Sequence, residues 1–191
     1  MFHTVERHSL EAFEKVISLP ENVDKRFEYI AGEICEVPSN PLASQIAMLI
    51  GAMLTIFVRQ HRLGHVTGSD SGYMVGGDRY APDVAFISIE KHPDTLPYNI
   101  GYLPMPPDLA VEVVSPSDEP RQRSIKITNY LAAGTVVWMV YPLARELEVH
   151  AQGQRVRIYG VEDTLEGGDL LPGFEMAIKD IFPTDSEAAG A

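Results

Sequence analysis

Pro107-Asp-Leu-Ala-Val-Glu-Val-Val-Ser-Pro-Ser117 is the stretch on which the fold turns. Its centre, 109–114, is apolar except for Glu112, which is how a strand buried on both faces reads. Side chains alternate along a strand, so Glu112 and Val114 share one face while Val111 and Val113 share the other. A carboxylate in such a run is costly unless it is paired, hydrogen-bonded or holding a cation. Glu112 is therefore the residue to explain.

Downstream, Ser117 or Asp118 is placed to cap a helix with Pro120 in its first turn and Gly134 as its stop. Val136-Val-Trp-Met-Val-Tyr141 is a second buried strand, with Trp138 read as a core residue. Upstream, Asp83-Val-Ala-Phe-Ile-Ser-Ile89 is a strand opening on a second carboxylate, directly after Pro82. Lys126 lies on the helix after Glu112, with Arg123 and Tyr130 three before and four after it, on the same face. If the two strands pair, Asp83, Glu112 and Lys126 meet at one end of a sheet. Two carboxylates and a lysine suit a hard cation such as Mg²⁺ and phosphodiester hydrolysis. The same residues equally suit a buried ion pair of Glu112 with Arg123 or Lys126.

Further out, Leu10, Phe13, Val16 and Ile17 have helical spacing over 9–19, ending before Pro20. Residues 26–37 alternate in two arms around Ala31-Gly32, a β-hairpin with a tight turn. Asn40 caps and Pro41 opens a helix running to His61, apolar almost all round and so expected in the core. Val66 and Gly72–Val75 suggest short strands, and a long loop with five prolines fills 90–107. Leu147 with Val149, and Val156 with Ile158, mark a hairpin turning near Gln152-Gly153. The order implies an α/β (α+β) core with a mixed sheet.

A length of 191 residues fits one domain, 1–191, with 186–191 expected as a disordered tail. The single cysteine, Cys35, excludes an internal disulfide and points to a reducing, cytoplasmic setting. No signal peptide is evident, and the apolar run 46–58 is short of the ~20 residues that cross a bilayer, so no membrane span is expected. The formal charge of −12 argues against coating nucleic acid by bulk charge. Residues 161–191 carry eight acids against Lys179 alone, whereas Arg121, Arg123 and Lys126 form a basic cluster that leaves room for a local phosphate surface.

Other candidates read more simply. His61 and His65 have zinc-like spacing, but Gly64 between them and the want of a third ligand favour a helix end. Gly72-Tyr-Met-Val-Gly-Gly77 lacks the Gly-Lys of a Walker loop and reads as a turn or strand edge. Asp108, four residues before Glu112 and on its face if the strand extends that far, is a candidate extra ligand that reads more simply as a solvent-facing strand start, and Ser115 lacks nucleophile-elbow glycines.

Six segments in order resemble the Uma2 family of restriction-endonuclease-like proteins: Phe27-Glu-Tyr-Ile-Ala-Gly-Glu-Ile34, Tyr80-Ala-Pro-Asp-Val-Ala-Phe86, the 107–117 motif, Lys126 with Tyr130 and Gly134, Trp138-Met-Val-Tyr-Pro142, and Leu171-Pro-Gly-Phe-Glu-Met-Ala-Ile-Lys-Asp-Ile-Phe182. The resemblance implies a PD-(D/E)xK nuclease core, a restriction-endonuclease-like mixed central sheet flanked by helices. It implies a Mg²⁺- or Mn²⁺-dependent endonuclease acting on DNA and acting as a homodimer. Asp83, Glu112 and the Val113 carbonyl would hold the metal. Lys126, from the helix rather than two residues after the acid where Val114 stands, would complete the catalytic set. Glu28, Glu33 and Tyr130 would support it. The family often has a histidine where its second helix begins, and here that neighbourhood reads Pro41-Leu-Ala-Ser-Gln45. That departure, with the acidic charge, supports the alternative: a catalytically inactive nuclease-fold module that works by binding or assembly. An open cation site against a closed ion pair separates the two.

Overall fold

The computed structural model describes residues 6–37 and 40–183, so the tail expected at 186–191 lies outside the described residues. The central element is strand β8 (Leu109–Val113), formed by the run that opened the sequence reading. The described strands before it are β1 (Phe27–Ile30), β2 (Glu33–Glu36), β3 (Gly64–Gly68), β4 (Gly72–Val75), β5 (Asp78–Tyr80), β6 (Val84–Ser88) and β7 (Tyr102–Leu103). Those after it are β9 (Val136–Tyr141), β10 (Glu146–His150), β11 (Arg157–Tyr159), β12 (Thr164–Glu166) and β13 (Glu175–Ala177). The helices are α1 (Leu10–Ile17), α2 (Pro41–His61) and α3 (Pro120–Ala132).

Six strands form one sheet in the order β11-β10-β9-β8-β6-β3. Only β8 and β9 run parallel within it, Leu109 opposite Val136 through Val113 opposite Val140. A parallel pair needs a crossover, and α3 supplies it. On one face, Val84, Phe86, Leu109, Val111, Trp138 and Val140 pack against α2 and the closing segment with Phe174 and Ile178. On the other, Ala85, Ile87, Ala110, Val137 and Met139 pack with Tyr73, Tyr80 and Tyr130. Residues two apart thus share a layer, and both layers are covered, which is why β8 carries no alternation. A second sheet, β2-β1-β5-β4-β7, and the pair β12-β13 complete the described strands. This is the expected mixed central sheet flanked by helices.

Local chemistry fixes the elements that carry the cleft. Ala31 and Gly32 take φ of +50° and +93°, the turn that closes β1 on β2. The Asn40 side chain accepts from the Ala43 N–H at 3.1 Å and caps α2 before Pro41. The cap expected for α3 differs. Glu119 stands at the N-cap without a side-chain hydrogen bond, because Asp118 turns back to accept from the Ser115 N–H and hydroxyl, and Ser117 also meets that hydroxyl. The strands β5, β7, β12 and β13 are new relative to the sequence reading. Each has only two or three residues, too few for any periodicity to show.

Helix α2 has the bounds expected of it, Pro41–His61, but two expectations about it are corrected. The run 46–58 understated its apolar length, and by length and composition the whole helix is long enough to cross a membrane. Yet Ile46, Ile50 and Leu54 lie fully buried in the core, so the length is used in packing against the sheet. Nor is it covered all round: Met48 is 72% and Ile56 67% exposed.

Two smaller tests arise here. The Asp78 carboxylate, buried on β5, accepts from the Ala31 N–H, the Tyr80 hydroxyl and the Asn129 amide at 3.0, 2.7 and 3.1 Å. It ties the hairpin turn to α3. Asp78→Ala leaves buried donors without an acceptor, each costing about 1–3 kcal/mol. Urea unfolding should show a total loss of roughly that size or more. Gly64, at φ +151°, would place a Cβ 2.0 Å from the Ile87 carbonyl oxygen. Gly64→Ala should lower stability by more than about 1 kcal/mol in the same assay.

Candidate functional site

Glu112 and Lys126 meet, and Glu28 joins them from the first hairpin. The Lys126 ammonium donates to Glu112 Oε2 at 2.8 Å and to Glu28 Oε1 and Oε2 at 2.8 and 3.1 Å. The Tyr130 hydroxyl, one turn along α3, donates to Glu112 Oε1 at 3.2 Å. Glu28, only 6% exposed, also accepts from the Ala81 N–H at 2.8 Å. Asp83, at the entry of β6, accepts from the Val113 N–H at 2.8 Å through Oδ2. Antiparallel pairing of β6 with β8, Val84 opposite Val111, brings that end of the two strands together as expected. Asp83, Glu112, Val113, Lys126, Glu28 and Tyr130 all line one cleft of ≈ 680 Å³.

The electrostatics follow from three carboxylates sharing one ammonium. Burial, then Glu28 and Asp83, push the Glu112 carboxyl up to about 8 against the pull of Lys126. Burial also raises Asp83, with the Val113 N–H and Lys126 working in the opposite sense. Burial alone would lower Lys126, but Glu112 and Glu28 reverse that and hold it above the ordinary lysine range. Near neutrality Lys126 is therefore charged and Glu112 largely holds its proton.

Other candidates fall elsewhere. Glu33 holds the start of α3 through Arg121 and through the Gln122 amide at 3.0 Å, outside the acid cluster. Desolvation is overcome by those two partners, which keep its carboxyl below the usual range. The basic cluster does not form a patch, because its members point to different acceptors. Arg121 pairs with Glu33, Arg123 sits over the Tyr141 ring at 5.7 Å, and Lys126 is buried between two carboxylates. Asp108 is not solvent-facing as expected: it accepts from the Ser88 N–H at 2.7 Å and from Lys91 at 3.2 Å. His61 and His65 each meet a backbone carbonyl, of Phe57 and His92. Burial pushes the Cys35 thiol up to about 11, which makes it a poor nucleophile. Tyr80, Asn129 and Asp78 behind the site escaped the sequence reading, since Gly-Gly-Asp78 reads as an ordinary turn acid.

The metal implied by the resemblance can be tested against these contacts. Both Glu112 oxygens meet protein donors, and one Asp83 oxygen holds a backbone N–H. Among the described residues no group of three or more His, Cys, Asp or Glu side chains is placed to hold a metal ion. As arranged, the donors do not fit a resident cation. The cleft wall is also acidic overall, with six carboxylate side chains against three basic ones, so it does not draw phosphate by charge.

The family model "Uma2: Putative restriction endonuclease" matches residues 10–179. Among solved structures, the chain resembles a crystal structure of "a putative nuclease belonging to DUF820" from Anabaena variabilis ATCC 29413. The TM-score is 0.76 at 20% sequence identity, over 89% of this chain and 96% of that one. At that identity the likeness shows the fold. No curated protein matches the chain.

Proposed function

The chain belongs to the Uma2 family, and from that premise we propose that it is a nuclease-fold module acting through binding or assembly, its acidic cluster held closed by Lys126. One observation carries this reading: the ammonium sits at 2.8 Å from both Glu28 and Glu112, where an open site would leave the carboxylates to a cation. The net acidity of the cleft supports it as well.

A second reading is the metal-dependent endonuclease hydrolysing DNA, with Mg²⁺ or Mn²⁺ on Asp83, Glu112 and the Val113 carbonyl. It is favoured by the gathering of Glu28, Asp83, Glu112 and Lys126 around one cleft, the residue types that a nuclease site uses. It requires Lys126 to release Glu112.

Calorimetric titration of Mn²⁺ and Mg²⁺, with and without a DNA oligomer, separates them. The closed-module reading expects no ion uptake by the wild type and no relaxation of supercoiled plasmid. Ion uptake and plasmid cleavage that both vanish in Glu112→Gln would establish the endonuclease instead.

A further inference from the structure

The cleft of ≈ 680 Å³ has the size of a small-molecule site, and its walls differ in kind. Helix α2 contributes Ala43, Ala47, Met48 and Gly51, and from Pro41 to Val58 it carries no Asp, Glu, Lys or Arg. The rest of the lining, from β1, β2, β6, β8 and the start of α3, brings the carboxylates. Each basic side chain there already has a partner. Arg26 donates to the Ser69 carbonyl at 3.2 Å, Arg123 lies over the Tyr141 ring, and Lys126 is held by Glu28 and Glu112. The carboxylates keep capacity to spare. Asp83 Oδ1 meets no donor among the described residues, and Glu36 is tied through Oε2 alone, to Lys25 in an exposed pair.

These two acceptors stand at opposite ends of the apolar wall. Glu36 comes four residues before the Asn40 cap, where α2 begins. Gly51 lies against Val84, the neighbour of Asp83, with room for a Cβ 3.5 Å from the valine methyl. From Asn40 to Gly51 the helix rises about 16 Å, at ~1.5 Å per residue. A metal ion needs several oxygens converging on one point, and these do not converge. Phosphate needs an unpaired cation, which the lining does not offer it. A basic peptide brings a carbonyl with every residue, and those need donors rather than acceptors. Ammonium groups joined by methylene chains need only an acceptor at each nitrogen and an apolar surface between them.

We propose that the cleft binds a linear aliphatic polyamine, with one ammonium at Asp83, another at Glu36 and the methylenes along α2. The proposal rests on the closed-cluster reading, because it requires Lys126 to stay with Glu28 and Glu112 and leave the cleft to the ligand. Binding through partly exposed charges weakens as salt rises.

Calorimetric titration of spermine at low salt should show one molecule bound per chain. Asp83→Asn keeps an oxygen for the Val113 N–H and should weaken binding at least tenfold. Met48→Lys, on the exposed part of the wall, should weaken it as well, by setting a cation there without disturbing the core. Glu162→Gln, exposed and outside the cleft, should change it less than twofold. No binding of spermine to the wild type overturns the proposal and leaves the closed cluster standing. An equal loss in Glu162→Gln overturns it as adsorption to an acidic chain. An oligolysine peptide of the same charge that binds more tightly than spermine overturns it in favour of a protein partner. Failure of the closed-cluster reading is seen with the metal alone, as ion uptake that vanishes in Glu112→Gln, so the two failures stay distinct.

Discussion

Lys126→Ala is expected to lower the unfolding free energy by about 3–5 kcal/mol, the usual result of removing one partner from a buried ion pair. The ammonium is the cation in direct contact with both Glu28 and Glu112, and little of any of the three side chains reaches solvent. Without it Glu28 keeps the Ala81 N–H but loses its counter-charge, and Glu112 keeps only the Tyr130 hydroxyl. Lys126→Met, which retains most of the side-chain volume, should be nearly as costly, because the loss is electrostatic rather than a cavity. Adding Glu28→Gln and Glu112→Gln to Lys126→Met should recover much of it, since of the three carboxyls only Asp83, which keeps the Val113 N–H, then remains. Urea unfolding of the three variants at one pH checks this. A loss below about 1 kcal/mol for Lys126→Ala would place the pair among solvated ones and reopen the site to a cation.

The second large effect is on pH dependence. In the unfolded chain the Glu112 carboxyl ionises near 4.5, whereas in the fold it does so at about 8. Between those values the folded state binds more protons than the unfolded one, so stability falls as pH rises, by roughly 1 kcal/mol per unit at the steepest. The stabilisation is complete below about 4.5 and gone above about 8. Lys126, raised in the fold, adds no slope in this window, because its own contribution is present below the ordinary lysine range and is lost only at higher pH. Glu112→Gln removes the titrating group while keeping a side chain of the same shape. The difference in unfolding free energy between wild type and Glu112→Gln should therefore shift steadily against the wild type from pH 5 to 8. A difference that stays flat or runs the other way would show that Glu112 is ionised throughout.

The sequence reading succeeded where a local rule was sufficient. Asn40-Pro41 marks the start of α2 because a cap and a proline need only their neighbours, and Ala31-Gly32 marks a hairpin turn for the same reason. Glu112 stood out because a carboxylate in an apolar strand breaks a rule legible in the strand itself. Its partners were partly legible: Lys126 from helix spacing, Glu28 only as a supporting position that the resemblance suggested. What the chain could not display was the pairing of Glu28 with that lysine, which depends on how two sheets meet. Asp78 is hidden for the same reason, since its three donors come from a hairpin turn, its own strand and α3. The bare side of α2 was missed for another reason: apolar residues all round a helix do not say which of them the sheet covers.

The Lys126–Glu28 contact joins residues 98 apart in the chain. Closing so large a loop carries an entropy cost before any contact repays it, so distant pairs tend to form after local ones. The hairpin of β1 and β2, the caps of α2 and the crossover β8-α3-β9 can all assemble without this contact. Glu28 and Lys126 meet only when the first hairpin docks on the finished sheet. Interactions absent from the transition state act on the unfolding rate and leave refolding almost unchanged. Removing the Glu28 carboxylate is thus expected to shorten the lifetime of the assembled native state while refolding stays almost unchanged, as the unfolding and refolding rates of Glu28→Gln would show.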